Sequence, residues 1–339
     1  MNNRIFPWLQ PTWRELQRRR TALPHALLIQ GRSGLGKTAL ARTFAQALLC
    51  ESIAADGLPC GVCQACRWFE QGNHPDFRQV EPEALSESTA AEGEPAAKAS
   101  AAPSRQIRID QIRELQDFLT IGTHRGGFRV ILVRPAEAMN AATANALLKS
   151  LEEPPAGTVF LLVSSAPDRL LPTVRSRCQR VPVAAVSTPA AVEWLRGQGV
   201  KEPEAALKYA GDAPLEAVEE GAEFGAARDA VIAAFARRDA TALDLADACQ
   251  GLPPPTVVGW LHKWVCDLAF AKRTGGVRYH VRQAPTVRTI AGSLGLLPLL
   301  RFERSLYAAR AVAQHPLNAR LFLEDLFLRY VRLRETAHD

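Results

Sequence analysis

The stretch His25-Ala-Leu-Leu-Ile-Gln-Gly-Arg-Ser-Gly-Leu-Gly-Lys-Thr38 decides the fold class of this chain. It begins with an apolar run typical of a buried strand, and the apolar residues of the segment after it, up to Leu49, have helical spacing. Between strand and helix lies the pattern Gly-x4-Gly-Lys-Ser/Thr, whose backbone N–H groups surround phosphate oxygens. The sequence therefore predicts a phosphate-binding loop (P-loop) that takes ATP or ADP with Mg²⁺. Its predicted binding residues are Gly31, Gly34, Gly36, Lys37, which reaches the β- and γ-phosphates, and Thr38, which holds Mg²⁺.

Two further apolar runs, 128–133 and 158–163, have the length and composition of buried strands. The second follows a segment with helical spacing, 141–153, which Pro154 and Pro155 should end because proline cannot continue a helix. Asp110 is predicted to cap another helix upstream. Strands that alternate with helices predict a mostly parallel sheet covered by helices on both faces. After Val183 the strand patterns stop, and the rest of the chain is predicted to be all α.

The segment 81–104 interrupts this alternation. It is dominated by Glu, Ala, Ser, Pro and Gly, and Leu85 is its only large apolar residue. Such a segment cannot bury a core. It is therefore predicted to be a flexible insert within the α/β domain.

The apolar run at 130–133 ends without the acidic residues that ATP hydrolysis needs. In P-loop ATPases an acid at this point holds Mg²⁺, and a second acid often orients the attacking water. Here Arg134 and Pro135 follow the run, and Glu137 is the nearest carboxylate. Glu137 as a displaced acid is one alternative, but a solvated loop or helix-entry residue is favoured. The pattern predicts a site that binds nucleotide and hydrolyses it weakly.

Four of the seven cysteines fall within seventeen positions, at Cys50, Cys60, Cys63 and Cys66. Four thiolates suit a closed tetrahedral zinc site, which would be structural because no position is left for a substrate. An iron–sulfur cluster uses the same ligands and stays open as an alternative. Nearby His74 is interpreted as a turn residue. The remaining cysteines are isolated in the sequence: Cys178, Cys249 and Cys266.

Arginines are concentrated near the end of the α/β segment, at Arg169, Arg175, Arg177 and Arg180. The planar guanidinium suits phosphate recognition, although a basic surface face is the general alternative. The motif Ser176-Arg177-Cys178, which contains one of these arginines, favours a functional role for Arg177.

Composition excludes several classes of protein. The chain has 339 residues, 47% of them hydrophobic and 22% charged, so it is neither disordered throughout nor fibrous. No apolar run approaches the roughly 18 residues of a membrane span, and the first residues do not resemble a secretion signal. We expect a cytoplasmic protein with no membrane partner.

The net charge of +6 comes from residues 259–339, which hold 13 Lys/Arg and 6 Asp/Glu. This excess of positive charge fits either attraction to phosphate groups or a solvated helical face.

Taken together, these motifs resemble the bacterial clamp-loader AAA+ family of DNA polymerase III, and most closely its delta-prime branch. The resemblance rests on strings that span most of the first 180 residues in family order. The most specific are Asn145-Ala-Leu-Leu-Lys-Ser-Leu-Glu-Glu-Pro-Pro155 and Leu170-Leu-Pro-Thr-Val-Arg-Ser-Arg-Cys178, with Pro7-Trp8-Leu9, the four cysteines and Asn73-His-Pro-Asp76 in support. The C-terminal half matches only as helical architecture.

The resemblance implies an AAA+ domain over 1–184 with a zinc module at 50–66, a helical lid over 185–225, and a helical collar over 226–339. It implies a subunit that helps load the sliding clamp onto primed DNA, in a hetero-oligomer with gamma/tau-type and delta-type subunits. In such an assembly Arg177, with Ser176 and Cys178, would reach the ATP of a neighbouring subunit. Ser164 or Ser165 would occupy the polar sensor position, and Pro214 stands where motor subunits carry a sensor arginine. Whether nucleotide is bound stays open.

Two alternatives to this accessory role remain. The intact P-loop is compatible with a gamma/tau-type ATPase motor, which Arg134, Pro135 and Pro214 disfavour. The other alternative is a zinc-containing nucleic-acid-binding protein with a vestigial P-loop.

Overall fold

A computed structural model describes residues 5–86, 103–120, 122–124, 127–184, 186, 188–313 and 318–335. The chain divides into two compact units, Met1–Ser187 and Thr188–Asp339. Most of the predicted flexible insert, residues 87–102, lies outside the described residues.

The first unit is built around a five-stranded parallel sheet in the order β2-β3-β4-β1-β5. The strands are β1 (Ala26–Gln30), β2 (Phe77–Val80), β3 (Arg129–Val133), β4 (Thr158–Ser164) and β5 (Gln179–Pro182). The helices are α1 (Gln10–Arg18), α2 (Lys37–Leu49), α3 (Gln64–Glu70), α4 (Ile109–Thr120), α5 (Ala141–Glu152) and α6 (Pro172–Arg177). The predicted parallel α/β architecture is confirmed. Sequence patterning missed the two edge strands, β2 and β5.

Helices cover both faces of this sheet because successive strand residues point to opposite sides. On one face, Leu28, Ile131 and Phe160 are fully buried in a cluster with side chains of α4, α5 and α6. On the other face α2 packs against β1, β3 and β4. Each fully buried apolar side chain contributes about 1.5–3 kcal/mol, so the apolar runs dominate the stability of this unit.

The helix ends follow local chemistry. Asn140 caps α5 by accepting a hydrogen bond from the Thr143 N–H at 2.9 Å, and α5 ends at Glu152, just before Pro154 as predicted. The prediction that Asp110 caps a helix was wrong. Because α4 begins at Ile109, Asp110 lies within the first turn, where its charge meets the positive end of the helix dipole.

The second unit contains only helices among its described residues, as predicted. They are α7 (Thr188–Gly197), α8 (Pro203–Tyr209), α9 (Pro214–Ala236), α10 (Ala242–Ala248), α11 (Pro254–Thr274), α12 (Ala284–Ser293), α13 (Leu296–Val312) and α14 (Ala319–Glu335). Since α9 continues through position 225, the boundary between the implied lid and collar stays a prediction.

Large aromatic side chains organise the core of this second unit. Trp264 and Tyr330 are fully buried, and the indole N–H of Trp264 donates to the Tyr330 hydroxyl at 2.8 Å. That hydroxyl in turn donates to the Phe235 carbonyl at 3.1 Å, so the polar atoms of both rings are satisfied inside the core.

Among the helices in the described part of the chain, none has the length and apolar character needed to cross a membrane.

Candidate nucleotide-binding and metal sites

The P-loop lies between the carboxyl end of β1 and the first turn of α2, as the sequence predicts. Gly36 is the residue at the N-terminus of α2 and has a left-handed backbone with φ of 82°, and Gly34 has φ of 70°. Only glycine adopts these angles without strain. The loop therefore turns the chain directly from β1 into α2, so that the N-terminus of α2 follows the glycines of the loop.

An N-terminal segment packs directly on this loop. The indole N–H of Trp8 donates to the Leu35 carbonyl at 2.9 Å, and the Trp8 ring stacks on Phe6 with centroids 5.0 Å apart. A Cβ at Gly36 would lie 2.6 Å from the Phe6 ring. Gly36 is thus required both by its backbone angle and by this close approach. Pro7-Trp8-Leu9 supported the resemblance, but sequence did not show that it contacts the loop.

Lys37 is buried, and its ammonium group donates to the Arg32 carbonyl within the loop. Thr38 is half-buried in the first turn of α2. Ser164, the last residue of β4, lies beside the loop: it pairs with Gln30 of β1, and its carbonyl accepts the Gly31 N–H at 3.2 Å. The loop residues and the implied sensor residue therefore meet at the carboxyl edge of the sheet.

Position 134, at the end of β3, holds a cation instead of an acid. The Arg134 guanidinium is 2.6 Å from the Glu81 carboxylate, and both side chains are largely buried. Glu137 accepts the Ser165 N–H at 2.9 Å through Oε1, while its Oε2 is buried without a hydrogen-bond partner. Glu137 lies in the short 3-10 helix Ala136–Ala138, which agrees with its interpretation as a helix-entry residue. Its carboxylate is half-buried and tied to the end of β4, so it is not a freely solvated group.

The four predicted zinc ligands come together in space. Cys50 follows α2, Cys60 lies in the intervening loop, Cys63 is the N-cap of α3, and Cys66 is inside that helix. All four sulfurs lie within 4.8 Å of one another. The Sγ–Sγ distances are 3.6 Å for Cys50–Cys60, 3.9 Å for Cys50–Cys63 and 4.0 Å for Cys60–Cys66.

This arrangement fits a tetrahedral metal. Four thiolates about 2.3 Å from zinc would be separated by roughly 3.8 Å. Backbone N–H groups also point at the sulfurs: those of Cys60, Cys63 and Cys66 donate to the thiols of Cys50, Cys60 and Cys63 at 3.3–3.4 Å. Hydrogen bonds from the Val62 and Cys63 backbones lower the pKa of Cys60 to about 6, whereas burial raises the pKa of Cys66. His74 is outside the cluster, and its Nδ1 accepts the Asp76 N–H at 3.1 Å within a turn.

Arg177 is the last residue of α6 and is about one-third exposed. Its guanidinium is 2.5 Å from the Glu152 carboxylate at the end of α5, and it also donates to the Thr173 carbonyl at 3.0 Å. Ser176 is exposed and donates to the same carbonyl at 3.0 Å. In the free chain, therefore, Arg177 is held by weak, solvent-accessible contacts.

Cys178 has a different role from its two neighbours. It is buried in the core on the α4–α6 side of the sheet, and this burial raises the pKa of its thiol to about 11. It packs as a small apolar residue and fixes the end of α6. Of the three residues in the Ser-Arg-Cys string, only Ser176 and Arg177 can reach an external group.

Known proteins match this chain in sequence. A family model described as "DNA polymerase III, delta subunit" matches residues 10–187. The DNA polymerase III subunit delta' of Pseudomonas aeruginosa is 38% identical over 272 residues, which cover 78% of this chain and 77% of that protein. The chain belongs to the DNA polymerase III delta-prime family. The predicted family is thus confirmed, and so is the predicted fold of a parallel α/β unit followed by a helical unit.

Relatives of the delta-prime family also match. The DNA polymerase III subunit tau of Salmonella typhimurium is 35% identical over 174 residues, which cover 51% of this chain and 23% of that protein. A solved gamma subunit-related protein of Thermotoga maritima aligns over 95% of this chain and 99% of its own, with 18% identity and a TM-score of 0.40.

Proposed function

We propose that this delta-prime family member is an accessory subunit of a clamp loader, helping to place the sliding clamp on primed DNA. Its own contribution is Arg177, which completes the ATP site of a neighbouring subunit. The observation that supports this role most directly is the partly exposed position of Arg177 at the end of α6, next to the exposed Ser176. We expect gamma/tau-type and delta-type partners in the cytoplasm and no membrane partner.

The chemistry of Arg177 suits this role. A guanidinium placed at a γ-phosphate stabilises the charge that develops on the transferred phosphoryl oxygens. Arg177 must first leave Glu152, whose side chain is 47% exposed. An ion pair as exposed as this contributes only about 0–1 kcal/mol, so exchanging the carboxylate for a phosphate costs little.

The chain's own P-loop binds adenine nucleotide but hydrolyses it weakly. The N-terminus of α2, Lys37 and Thr38 would hold the phosphates and Mg²⁺, which when bound supplies charge neutralisation. Lys37 would exchange the Arg32 carbonyl for phosphate oxygens. With Arg134 paired to Glu81 and Glu137 tied to Ser165, the end of β3 offers no carboxylate in the place where motor subunits hold metal and water. This disfavours the ATPase-motor alternative.

The four-cysteine cluster holds a structural zinc ion. Bound zinc would link the end of α2, through Cys50, to α3, through Cys66, and so would brace the segment that follows the P-loop helix. Four thiolates leave no coordination position for a substrate. The role is therefore in folding or subunit contact, and metal analysis separates zinc from iron.

Reconstitution tests the proposed function. The purified chain is mixed with gamma/tau-type and delta-type subunits, and assembly and clamp loading on primed DNA are measured with and without it. We expect a stable hetero-oligomer that loads clamps only when the chain is present. Loading that does not need the chain would contradict the proposal. Tight binding of primed DNA by the chain alone, without assembly, would favour the nucleic-acid-binding alternative.

A further inference from the structure

Three potential metal ligands meet in the helical unit, far along the chain from the four-cysteine cluster. His262 and Cys266 are one turn apart on α11, and Glu303 lies on α13, which packs against α11. The Nε2 of His262 is 3.6 Å from the Sγ of Cys266, and that thiol donates to the Glu303 Oε1 at 3.1 Å. The three ligand atoms all lie within 4.8 Å of one another. Cys266, isolated in the sequence, is therefore part of a mixed nitrogen, sulfur and oxygen cluster.

We propose that His262, Cys266 and Glu303 form a second divalent-metal site, suited to Zn²⁺, that is independent of the four-cysteine site. Zinc binds imidazole and carboxylate at about 2.0–2.2 Å and thiolate at about 2.3 Å, which places tetrahedral ligands roughly 3.3–3.6 Å apart. The His262–Cys266 distance already has this value. The Cys266–Glu303 distance is shorter because a proton lies between the two atoms, and zinc would displace that proton and widen the gap by about half an ångström.

The helices hold the three ligands on a rigid framework. Leu261 and Val265, which flank the ligands on α11, are fully buried, and Phe302 beside Glu303 is nearly so. The Tyr307 ring meets the His262 ring edge-on at 4.9 Å and limits its rotation. Ligands fixed in this way lose little conformational freedom when a metal binds, which favours affinity.

The charge balance also suits a divalent cation. A thiolate and a carboxylate together neutralise Zn²⁺, while imidazole adds no charge. Arg310 acts electrostatically on His262 and opposes a cation, but it is exposed and therefore screened by solvent and salt. Three protein ligands leave a fourth position for water or another ligand, in contrast to the closed four-cysteine site.

Metal titration of the intact chain tests this proposal. Protein that already holds one equivalent of zinc is titrated with Co²⁺, and thiolate-to-cobalt absorption is recorded together with binding heat. We expect a second equivalent to bind. Loss of a group that hydrogen-bonds to a metal ligand weakens a metal site about 10–100-fold, so loss of a ligand itself in His262→Ala or Cys266→Ala should weaken binding by at least about 100-fold.

Matched variants locate the second equivalent. Glu303→Gln keeps the size of the side chain and should weaken binding, whereas His25→Gln, at an exposed histidine of the other unit, should not. Cys63→Ser removes a ligand of the four-cysteine site and should leave metal binding by His262, Cys266 and Glu303 unchanged. Thermal melting and circular dichroism confirm that each variant is folded. A wild-type chain that binds no second equivalent, or folded His262 and Cys266 variants that bind it normally, would overturn the proposal.

Discussion

The guanidinium of Arg177 and the carboxylate of Glu152 meet at 2.5 Å, where the end of α6 packs against the end of α5. The two residues come from the two most specific strings of the family resemblance, 145–155 and 170–178. In the free subunit, therefore, the Glu152 carboxylate is the ion-pair partner of the guanidinium that we propose to contact the ATP of a neighbouring subunit. Because the pair is partly exposed, it orients Arg177 without holding it strongly.

Replacing Arg177 with alanine should lower the DNA- and clamp-stimulated ATPase of the assembled loader and slow clamp loading. An arginine finger contributes roughly 10³–10⁵ in rate at its own site. The total ATP turnover of the loader should fall only by the share that comes from the ATP site completed by Arg177. Arg177→Lys should restore little, because an ammonium group lacks the planar fork of arginine. Normal loading by a correctly assembled Arg177→Ala complex would refute the trans role.

Glu152→Gln should have a much smaller effect than loss of Arg177. The substitution removes an exposed ion pair, so it should change the free energy of unfolding by less than about 1 kcal/mol. Arg177 keeps its hydrogen bond to the Thr173 carbonyl and remains available to a neighbour. Urea unfolding of the subunit and clamp loading by the assembled complex are the two measurements. A loading defect as severe as that of Arg177→Ala would show that Glu152 itself is essential at the interface.

Lys37→Ala should abolish nucleotide binding by the isolated chain, since Lys37 is the only P-loop side chain that supplies a positive charge deep in the loop. Calorimetry with ATP and Mg²⁺ measures binding, and phosphate release measures turnover. Wild-type protein should bind and show negligible turnover. Arg32→Ala, an exposed change in the same loop, is the control and should keep binding. Robust turnover that depends on Lys37 would instead support a motor subunit.

Cys63→Ser should release the metal while the parallel sheet stays folded. Cys63 supplies one of four ligands and also accepts the Cys66 N–H at 3.4 Å, so both the site and the start of α3 should loosen. Metal analysis of protein purified without chelators should give about one zinc per wild-type chain at this site. Cys249→Ala, in the core of the other unit, is the control and should leave this zinc in place. Iron with visible absorbance would contradict a zinc site.

The apolar runs at β1, β3 and β4 were predictable because their side chains are buried on both faces of the sheet. The edge strands were not. In β5 the Gln179 and Arg180 side chains are exposed, and in β2 the pattern of four residues is too short to differ from a loop.

Local spacing also predicted the P-loop and the four cysteines, whose ligands lie close together in sequence. The pairing of Arg177 with Glu152 and the meeting of Cys266 with Glu303 join separate helices. Such contacts depend on tertiary packing, which periodicity and motif spacing do not encode. The hydrogen bond of Glu137 was not predictable for the same reason, because its partner, the Ser165 N–H, belongs to another strand end.

A buried carboxylate makes the stability of the helical unit sensitive to acid. Asp267 of α11 is fully buried and accepts the backbone N–H groups of Arg278, Tyr279 and His280 at 2.7–3.2 Å, as well as the His280 side chain at 2.9 Å. Burial alone would raise the pKa of Asp267. The hydrogen bonds from His280 and from the backbone outweigh it, so the pKa lies below its ordinary value of 3.8.

Asp267→Asn should therefore destabilise the loop at 278–280. The stability of that loop should also depend less on pH in the variant than in the wild type. A lowered pKa means that Asp267 contributes its stabilisation above about pH 4, and that this is lost as pH falls through the folded-state pKa. Replacing a charged acceptor of several N–H groups should lower the free energy of unfolding by about 2–4 kcal/mol at pH 7. Hydrogen exchange of the Arg278, Tyr279 and His280 amides measures both effects: protection should fall in wild type below pH 4 and be low at every pH in the variant. Equal protection of wild type and variant at pH 7 would show that Asp267 does not stabilise this loop.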